Sequence, residues 1–227
     1  MRLVCESKMI KFPDLDGFRK YPSLRDHPLK TAAKWIQGRR LDDGCGDLWR
    51  VHDKLYDLTD FIKSHPGGPQ WIEVTRGTDI TEAFESSHLN SSALVESILK
   101  KYYRKDADTP RNSPYTFHQD GFYATLKKTV HAHLQRNVTK EEKESGRQRV
   151  RNVQDLLVGS FFLLLTLAAV ADSYTVAILA GAILMRNINC AHNFYHQRDS
   201  WRMYCWDLGL LSSYEWRVTH ALRCIFQ

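Results

Sequence analysis

Two histidines, His65 and His88, constrain this chain more than any other feature of its sequence. His65 opens the sequence His-Pro-Gly-Gly, and Pro66 disfavours helical backbone at the residue before it. A helix predicted over Leu58–Ser64 should therefore end with the His65 imidazole at its terminus. The two glycines that follow permit positive φ and let the backbone approach a flat ligand closely. Two short helices are predicted between the histidines, so the pattern indicates two imidazoles on either side of a small pocket.

Two facing imidazoles can fill both axial positions of a haem iron. Such an iron carries single electrons and does not activate oxygen. Taken singly, each histidine is more simply explained as an ordinary surface or core residue, so the context decides. That context predicts strands over Leu48–Val51 and Leu55–Tyr56, and the segment Gly-Thr-Asp-Ile-Thr-Glu-Ala-Phe over 77–84 leads to the second histidine.

This pattern resembles the cytochrome b5 family across 47–103. The resemblance implies an α+β haem domain that binds haem b, with His65 and His88 as the axial ligands of the iron. His52 matches no ligand position of that family. In the implied domain, Asp79 and Glu82 are expected to form a capping box that opens the helix leading to the second ligand.

Apolar side chains of the same region are expected to enclose the haem. Four of them recur at helical spacing after the second histidine and should close the floor of the pocket: Leu94, Val95, Ile98 and Leu99. Three aromatic side chains are candidates for its walls, although each is equally well explained as core packing: Phe61, Trp71 and Phe84.

Charge is distributed unevenly along the 227 residues, whose net charge is +6. Residues 47–103 contain six basic and nine acidic residues, whereas both flanks are basic. An acidic haem domain favours positively charged redox partners, and no aromatic-interleaved basic stripe supports nucleic-acid binding. Five cysteines without a Cys-x-x-Cys pair indicate a reducing compartment, and no apolar signal core opens the chain.

A linker with one amphipathic helix is predicted over 108–152. Lys105–Pro114, which is polar and contains two prolines, indicates its start. An apolar residue then recurs every four positions, which favours a helix that lies on a membrane surface or packs on the haem domain: Phe122, Leu126, Val130 and Leu134. Two histidines of this helix, His131 and His133, are expected to be solvated. The charged run Thr139–Arg151 is expected to be a solvated linker.

An α-helical transmembrane hairpin is predicted over 153–191, with Asp172 at its tip. Its first segment reaches the ~20 residues that a membrane span needs. The second reaches that length only if Arg186, Asn187 and Asn189 continue it on a protein-facing side. Basic residues at both open ends favour a cytosolic location for those ends. A buried pair of soluble helices is the alternative.

Three histidines near the cytosolic end of this hairpin are candidate ligands of non-haem iron: His192, His196 and His220. The spacing His-x-x-x-His at 192–196 resembles the first histidine box of membrane fatty-acid desaturases that carry a fused cytochrome b5 domain. His220 matches the start of their second box. Over roughly 28–222 the chain resembles the cytochrome b5-related proteins. Residues 223–227 replace the remaining histidines of the second box, so the chain is expected to be truncated and to hold no non-haem iron.

The sequence therefore predicts a membrane-anchored haem protein that carries electrons in lipid metabolism, with no catalytic residue of its own. Its expected parts are an N-terminal extension (1–43), the haem domain (44–107), the linker, the hairpin and a desaturase-like cytosolic segment (192–227). The resemblance implies the endoplasmic reticulum membrane with the haem domain in the cytosol, reduction by a pyridine-nucleotide-dependent cytochrome b5 reductase, and transfer to acyl-lipid desaturation machinery. Two alternatives remain open: a complete gene product that is an active lipid desaturase or hydroxylase, and a non-redox binding or scaffold module.

Overall fold

The computed structural model describes residues 31–88, 93–113, 115–118 and 120–222, and every structural statement below concerns these residues. The chain divides into two compact units. The first contains residues up to Lys128 except 66–68, and the second begins at Thr129. Most of the predicted N-terminal extension lies outside the described residues, as do Cys5 and Cys224.

A three-stranded antiparallel sheet organises the first unit. It comprises β1 (Trp49–Val51), β2 (Lys54–Tyr56) and β3 (Tyr103–Asp106), in the order β1-β2-β3. The first two strands confirm the sequence prediction. The third corrects it, because Lys105 and Asp106 pair with β2 instead of starting the linker. On the side of β2 that β1 does not cover, β3 pairs through backbone donors and acceptors, which a polar segment can supply as well as an apolar one.

The core of the first unit lies where the sheet meets the helices. Its buried side chains are Trp49, Val51, Tyr56, Leu58 and Ile72. The indole N–H of Trp49 donates to the carbonyl of Ile72 at 2.8 Å, so the largest core side chain has no unpaired polar atom. Of the residues expected to close the pocket floor, Leu99 packs against this core, whereas Leu94 is exposed.

The helices between the two histidines match the prediction. A 3₁₀ helix (Thr59–Ser64) ends at His65, whose extended backbone (φ −64°, ψ 119°) is the conformation that a following proline favours. Helices α2 (Pro69–Val74) and α3 (Thr81–Ser87) follow, and α4 (Ala93–Lys101) precedes β3. Gly68 adopts a positive φ of 113°, but Gly67 does not, so only one of the two glycines uses the freedom expected of both.

The expected capping box at the start of α3 is absent. The carboxylate of Asp79 accepts from the backbone N–H of Thr81, two residues on, and the side chain of Glu82 binds Ser113 instead of reaching back. The backbone N–H that Glu82 was expected to cap donates to Asp43 at 2.8 Å. Asp43 belongs to helix α1 (Ala32–Asp43), so a more distant partner has replaced the local one.

Helix α5 (Phe122–Asn137) confirms the predicted amphipathic helix. Its predicted apolar positions are exposed, Phe122 at 83% and Leu126 at 45%. Packing against the rest of the first unit comes from a different face, through Tyr123 and Lys127, which bind the carbonyl of Glu85. The membrane-surface alternative for the apolar face stays a prediction.

The second unit contains an unexpectedly long helix. Helix α6 (Lys140–Val170) is continuous through the charged run 139–151, which was expected to be a linker. Thr139 and Glu142 form a capping box at its start, and Glu144 pairs with Arg147 and Arg151 along its surface. This cap and the helix-forming Glu, Lys, Arg and Gln residues explain the difference.

The predicted helical hairpin is present. Asp172, with φ 45°, lies in the turn between α6 and α7 (Tyr174–His192), and the two helices pack along each other. Between them, the buried side chains of Gln154 and Asn187 share a hydrogen bond. Asn187 thus faces the protein as expected. Arg186 and Asn189 were expected to face the protein as well, but both are exposed, which corrects the prediction for these two residues.

Beyond the hairpin the chain forms short turns over its end. They are two 3₁₀ helices (Asn193–His196 and Trp201–Gly209), α8 (Ser213–Trp216) and a π-helical segment (Arg217–Leu222). A buried core joins them to α7: Ile188, Ala191, Phe194, Tyr195, Met203, Cys205 and Trp206.

Candidate functional site

The rings of His65 and His88 form a contacting pair in the first unit. Their centroids are 6.4 Å apart and their planes meet at 62°. Two imidazoles on opposite sides of one metal, with bonds of about 2 Å and ring centres ~1 Å further out, have centroids about 6 Å apart. Rotation of either ring about its metal–nitrogen bond leaves that separation unchanged. The separation of the two rings is therefore one at which His65 and His88 could hold a single iron between them.

The orientation of His88 is fixed by the helix that precedes it. Its Nδ1 lies 2.8 Å from the carbonyl of Phe84, which can only accept, so Nδ1 carries the hydrogen. This leaves Nε2 with its lone pair, the state in which imidazole binds a metal. Burial lowers the pKa of His88, and the nearby His65 and Lys127 lower it further, against the opposing effects of the Phe84 carbonyl and Glu85. The neutral form is therefore favoured.

Aromatic side chains flank both imidazoles. Phe61 contacts His65 edge-on at 5.8 Å between ring centroids, and Phe84 lies 4.7 Å from His88. Both are partly buried and pack against the core, which agrees with either explanation that the sequence leaves open, pocket wall or core packing. Trp71, the third predicted wall residue, lies half-buried on α2 outside that shell, as far as the described residues show.

A polar network around Glu85, one turn before His88, was missed by the sequence reasoning. Glu85 Oε1 lies 2.9 Å from Nε2 of His52, and Glu85 Oε2 accepts from Lys127 Nζ at 3.0 Å. The hydrogen bonds from His52 and Lys127 hold the pKa of Glu85 below its usual value, against its burial. No local pattern signals these contacts, because Lys127 lies 42 residues away along the chain.

A second polar cluster holds the start of α3. Arg111 Nε donates to Asp79 at 2.8 Å, and its Nη2 pairs with Glu82. Arg39 also donates to the Asp79 carbonyl at 2.6 Å. Burial alone would raise the pKa of Asp79, but Arg111, the hydrogen bonds from Thr81 and the charge of Arg39 outweigh it and hold that pKa below its usual value. These contacts join the start of α3 to segments that precede β1 and follow β3 in the chain.

The three histidines predicted as non-haem iron ligands meet in the second unit. His192 ends α7, His196 lies in the following 3₁₀ turn, and His220 returns from the π-helical segment. Their candidate ligand nitrogens all lie within 4.8 Å of one another, and Nε2 of His192 is 3.3 Å from Nε2 of His196. Trp216 stacks on His220 with 4.7 Å between centroids. The donor set is three imidazoles without a carboxylate among the described residues, which fits one metal ion with open positions.

Two helices of the second unit are long and apolar enough to cross a membrane: the helix 140–170 and the segment 174–196. Many of their large apolar side chains face outward, including Leu156 at 69% exposure and Ile178 at 73%. Only 6% of the most apolar part of the first helix is buried, which is unlike the core helix of a soluble protein. Length, composition and exposure therefore fit a membrane hairpin.

Comparison with known proteins gives one family match, the "Cytochrome b5-like Heme/Steroid binding domain", over residues 35–108. The chain is 41% identical over 203 residues to a "Cytochrome b5-related protein" of Drosophila melanogaster, covering 89% of this chain and 45% of that relative. It is 45% identical over 115 residues to a protein of the same name from Drosophila virilis, covering 51% of this chain and 79% of that relative.

Desaturases that match the chain share a shorter segment with it. A "Probable Delta(5) fatty acid desaturase C" of Dictyostelium discoideum is 37% identical over 110 residues, which are 48% of this chain and 24% of the desaturase. The chain spans less than half the length of the Drosophila melanogaster relative. The identity and coverage of the two Drosophila proteins, together with the matched haem domain, nevertheless decide its family. The chain belongs to the cytochrome b5-related proteins and contains their cytochrome b5 haem-binding domain.

Proposed function

We propose that the chain is a membrane-anchored electron carrier in which His65 and His88 are the axial ligands of haem b. The observation that carries this proposal is the pair of imidazoles, with centroids 6.4 Å apart and Nδ1 of His88 engaged by the carbonyl of Phe84. Haem supplies one-electron redox chemistry when bound. With both axial positions taken by imidazole, no position is left for oxygen, and electron transfer is the function that this donor set supports.

Electrostatic steering of the redox partner is part of the proposal. Residues 47–103 contain nine acidic and six basic residues, so this domain attracts a positively charged surface. We expect a pyridine-nucleotide-dependent cytochrome b5 reductase as the donor. Charge complementarity of this kind acts mainly on the rate of encounter, which falls as ionic strength rises.

Membrane anchoring rests on the hairpin α6–α7. Arginines precede its apolar part at 147–151 and follow it at 198–202, and such basic flanks are retained on the cytosolic side. We infer that both open ends lie in the cytosol and that the membrane is that of the endoplasmic reticulum. The haem domain, which precedes the hairpin in the chain, is then cytosolic as well.

A spectrum of the full chain tests the haem assignment. Chain purified in detergent with haem should show a low-spin spectrum in both redox states. His65→Ala or His88→Ala should open one axial position and give a high-spin or haem-free protein. His133→Ala, which removes an exposed histidine of α5, is the matched control and should leave the spectrum unchanged. No haem uptake, or a low-spin spectrum that survives either ligand substitution, would contradict the proposal.

Lipid desaturation by the longer protein is a second candidate function. The observation in its favour is the convergence of His192, His196 and His220 on one point, together with the desaturases among the relatives. Three imidazoles are a partial donor set for a two-iron centre, so we propose that this chain alone supplies electrons and does not desaturate. New double bonds in the lipids of a desaturase-deficient cell that expresses the 227 residues, lost on His192→Ala, would favour the enzyme instead.

A further inference from the structure

Helix α3 ends at Ser87, one residue before His88, so its last backbone carbonyls have no partner within the helix. Two of these carbonyls are nevertheless engaged. The carbonyl of Phe84 accepts from the ring and the backbone N–H of His88. The next carbonyl, that of Glu85, accepts from groups outside the haem domain sequence.

Those groups belong to helix α5. Tyr123 donates its hydroxyl to the Glu85 carbonyl at 3.2 Å, and Lys127 Nζ donates to the same oxygen at 3.0 Å. Lys127 also pairs with the Glu85 carboxylate at 3.0 Å, and only 10% of its side chain is exposed. A cation at the C-terminal end of a helix is stabilised by the helix dipole as well as by these bonds.

The opposite side of Glu85 is closed by His52. Its Nε2 lies 2.9 Å from Glu85 Oε1, and its backbone N–H donates to the hydroxyl of Thr81 at 2.8 Å. Phe117 contacts the rings of both His52 and Tyr123, at 6.0 and 5.4 Å between centroids. Glu85 is therefore bonded both to His52, which lies between β1 and β2, and to α5.

We propose that Lys127 and Tyr123 of α5 are positioning residues that fix the orientation of His88 and set the reduction potential of the haem. The inference rests on the proposed ligation by His65 and His88. Through Glu85, the helix that follows the haem domain holds the last turn before the ligand, so the linker region belongs to the redox site.

The direction of the effect follows from charge. The ferric haem carries one more positive charge than the ferrous haem, so a nearby cation favours reduction and a nearby anion favours oxidation. Lys127 neutralises Glu85, and both charges reach the His88 imidazole. Removal of the Lys127 ammonium leaves Glu85 poorly compensated, which favours the ferric form and lowers the potential.

Spectroelectrochemical titration of the full haem-loaded chain in detergent tests the inference. Lys127→Met should lower the equilibrium constant for reduction several-fold, where tenfold corresponds to about 59 mV for one electron. It should also shift the g-values of the ferric electron paramagnetic resonance spectrum, since the ring is less firmly oriented. Lys127→Arg keeps the cation and should retain most of the native potential and g-values. Glu85→Gln should raise the potential. Arg136→Met removes an exposed cation further along α5 and is the matched control.

The outcomes separate this inference from the proposed function. A chain that takes up no haem, or whose haem is not low-spin, overturns the ligation and the inference with it. A low-spin haem whose potential and g-values are the same in Lys127→Met as in Arg136→Met overturns the inference alone. If Lys127→Met folds poorly, the same two measurements are made on Tyr123→Phe, which removes one hydrogen bond and no charge. It should shift the g-values with little change in potential.

Discussion

Loss of Arg111 should destabilise the haem domain without touching the proposed ligands. Its guanidinium, 12% exposed, bridges the carboxylates of Asp79 and Glu82, which are 5% and 7% exposed. Arg111→Met keeps most of the side-chain volume but removes the cation that pairs with both buried carboxylates, and only the charge of Arg39 near Asp79 remains. The penalty is that of stranding buried charge, which exceeds the net worth of the intact pair.

The expected loss in the free energy of unfolding is about 3–5 kcal/mol at neutral pH, from the cost of removing one partner of a buried ion pair. For a domain of this size each kcal/mol lowers the melting temperature by about 4–8 °C, so a drop of more than ~10 °C is expected. Thermal scans of the haem-loaded chain at the Soret band follow this unit specifically. Arg104→Met is the control, because the pair of Arg104 with Asp57 is solvent-exposed, and the expected loss is under about 1 kcal/mol.

The pH dependence of that loss identifies its cause. In the native chain the pKa of Asp79 is held below its usual value, so its contribution to stability is present at neutral pH and disappears as the pH falls through the acidic range. In Arg111→Met, burial without the cation raises that pKa, so acidification relieves the stranded charge. The deficit relative to the native chain should therefore shrink between about pH 7 and 5, and effects common to both proteins cancel. A deficit below 1 kcal/mol, or one that is constant over this range, would refute the argument.

Further predictions concern the membrane, the metal content and the partner. Tags placed before Met1 and after Gln227 should both be cleaved by protease added outside intact microsomes. Protection of the C-terminal tag alone would mean that only α6 spans the membrane. Arg186 would be the cause, because it is exposed on α7 and an arginine at the centre of a bilayer costs ~2.5–3.5 kcal/mol. Elemental analysis should find haem iron and no retained second metal, and His192→Ala should not change the result; two non-haem irons per chain would contradict this. Reduction by the reductase should slow as the salt concentration rises, because charges further apart than the Debye length, ~8–10 Å at working ionic strength, are screened. A salt-independent rate would exclude steering by the acidic domain.

Local signals explain the parts of the fold that the sequence predicts. The proline after His65 determines where the 3₁₀ helix ends, and the apolar period of α5 and the apolar lengths of the hairpin determine those helices. The capping box Thr139–Glu142 is also a local signal, and it lies at the start of the charged run 139–151 for which a linker is predicted. Good helix formers joined to a long apolar helix continue it, because elongation costs less than nucleation.

Contacts between distant segments explain what the sequence does not predict. Asp79 and Glu82 have the spacing of a capping box, yet Asp43 and Ser113 take the groups that the box would have used. β3 pairs with a strand about 50 residues earlier, and its side chains are all exposed, so no alternation of apolar residues announces it. In each case a partner far along the chain competes with the local interaction and wins.

Helix α3 shows how far the unit that supports His88 extends. Its start is held by Asp43 and Arg39 from α1 and by Arg111, and its end by Lys127 from α5. All four lie outside the segment 47–103 in which the cytochrome b5 pattern is visible, and two lie beyond residue 108, where the family match ends. A fragment cut to the visible pattern would keep both proposed ligands but lose every one of these anchors. Its His88 would be free to reorient, so its potential and haem affinity should differ from those of the full chain.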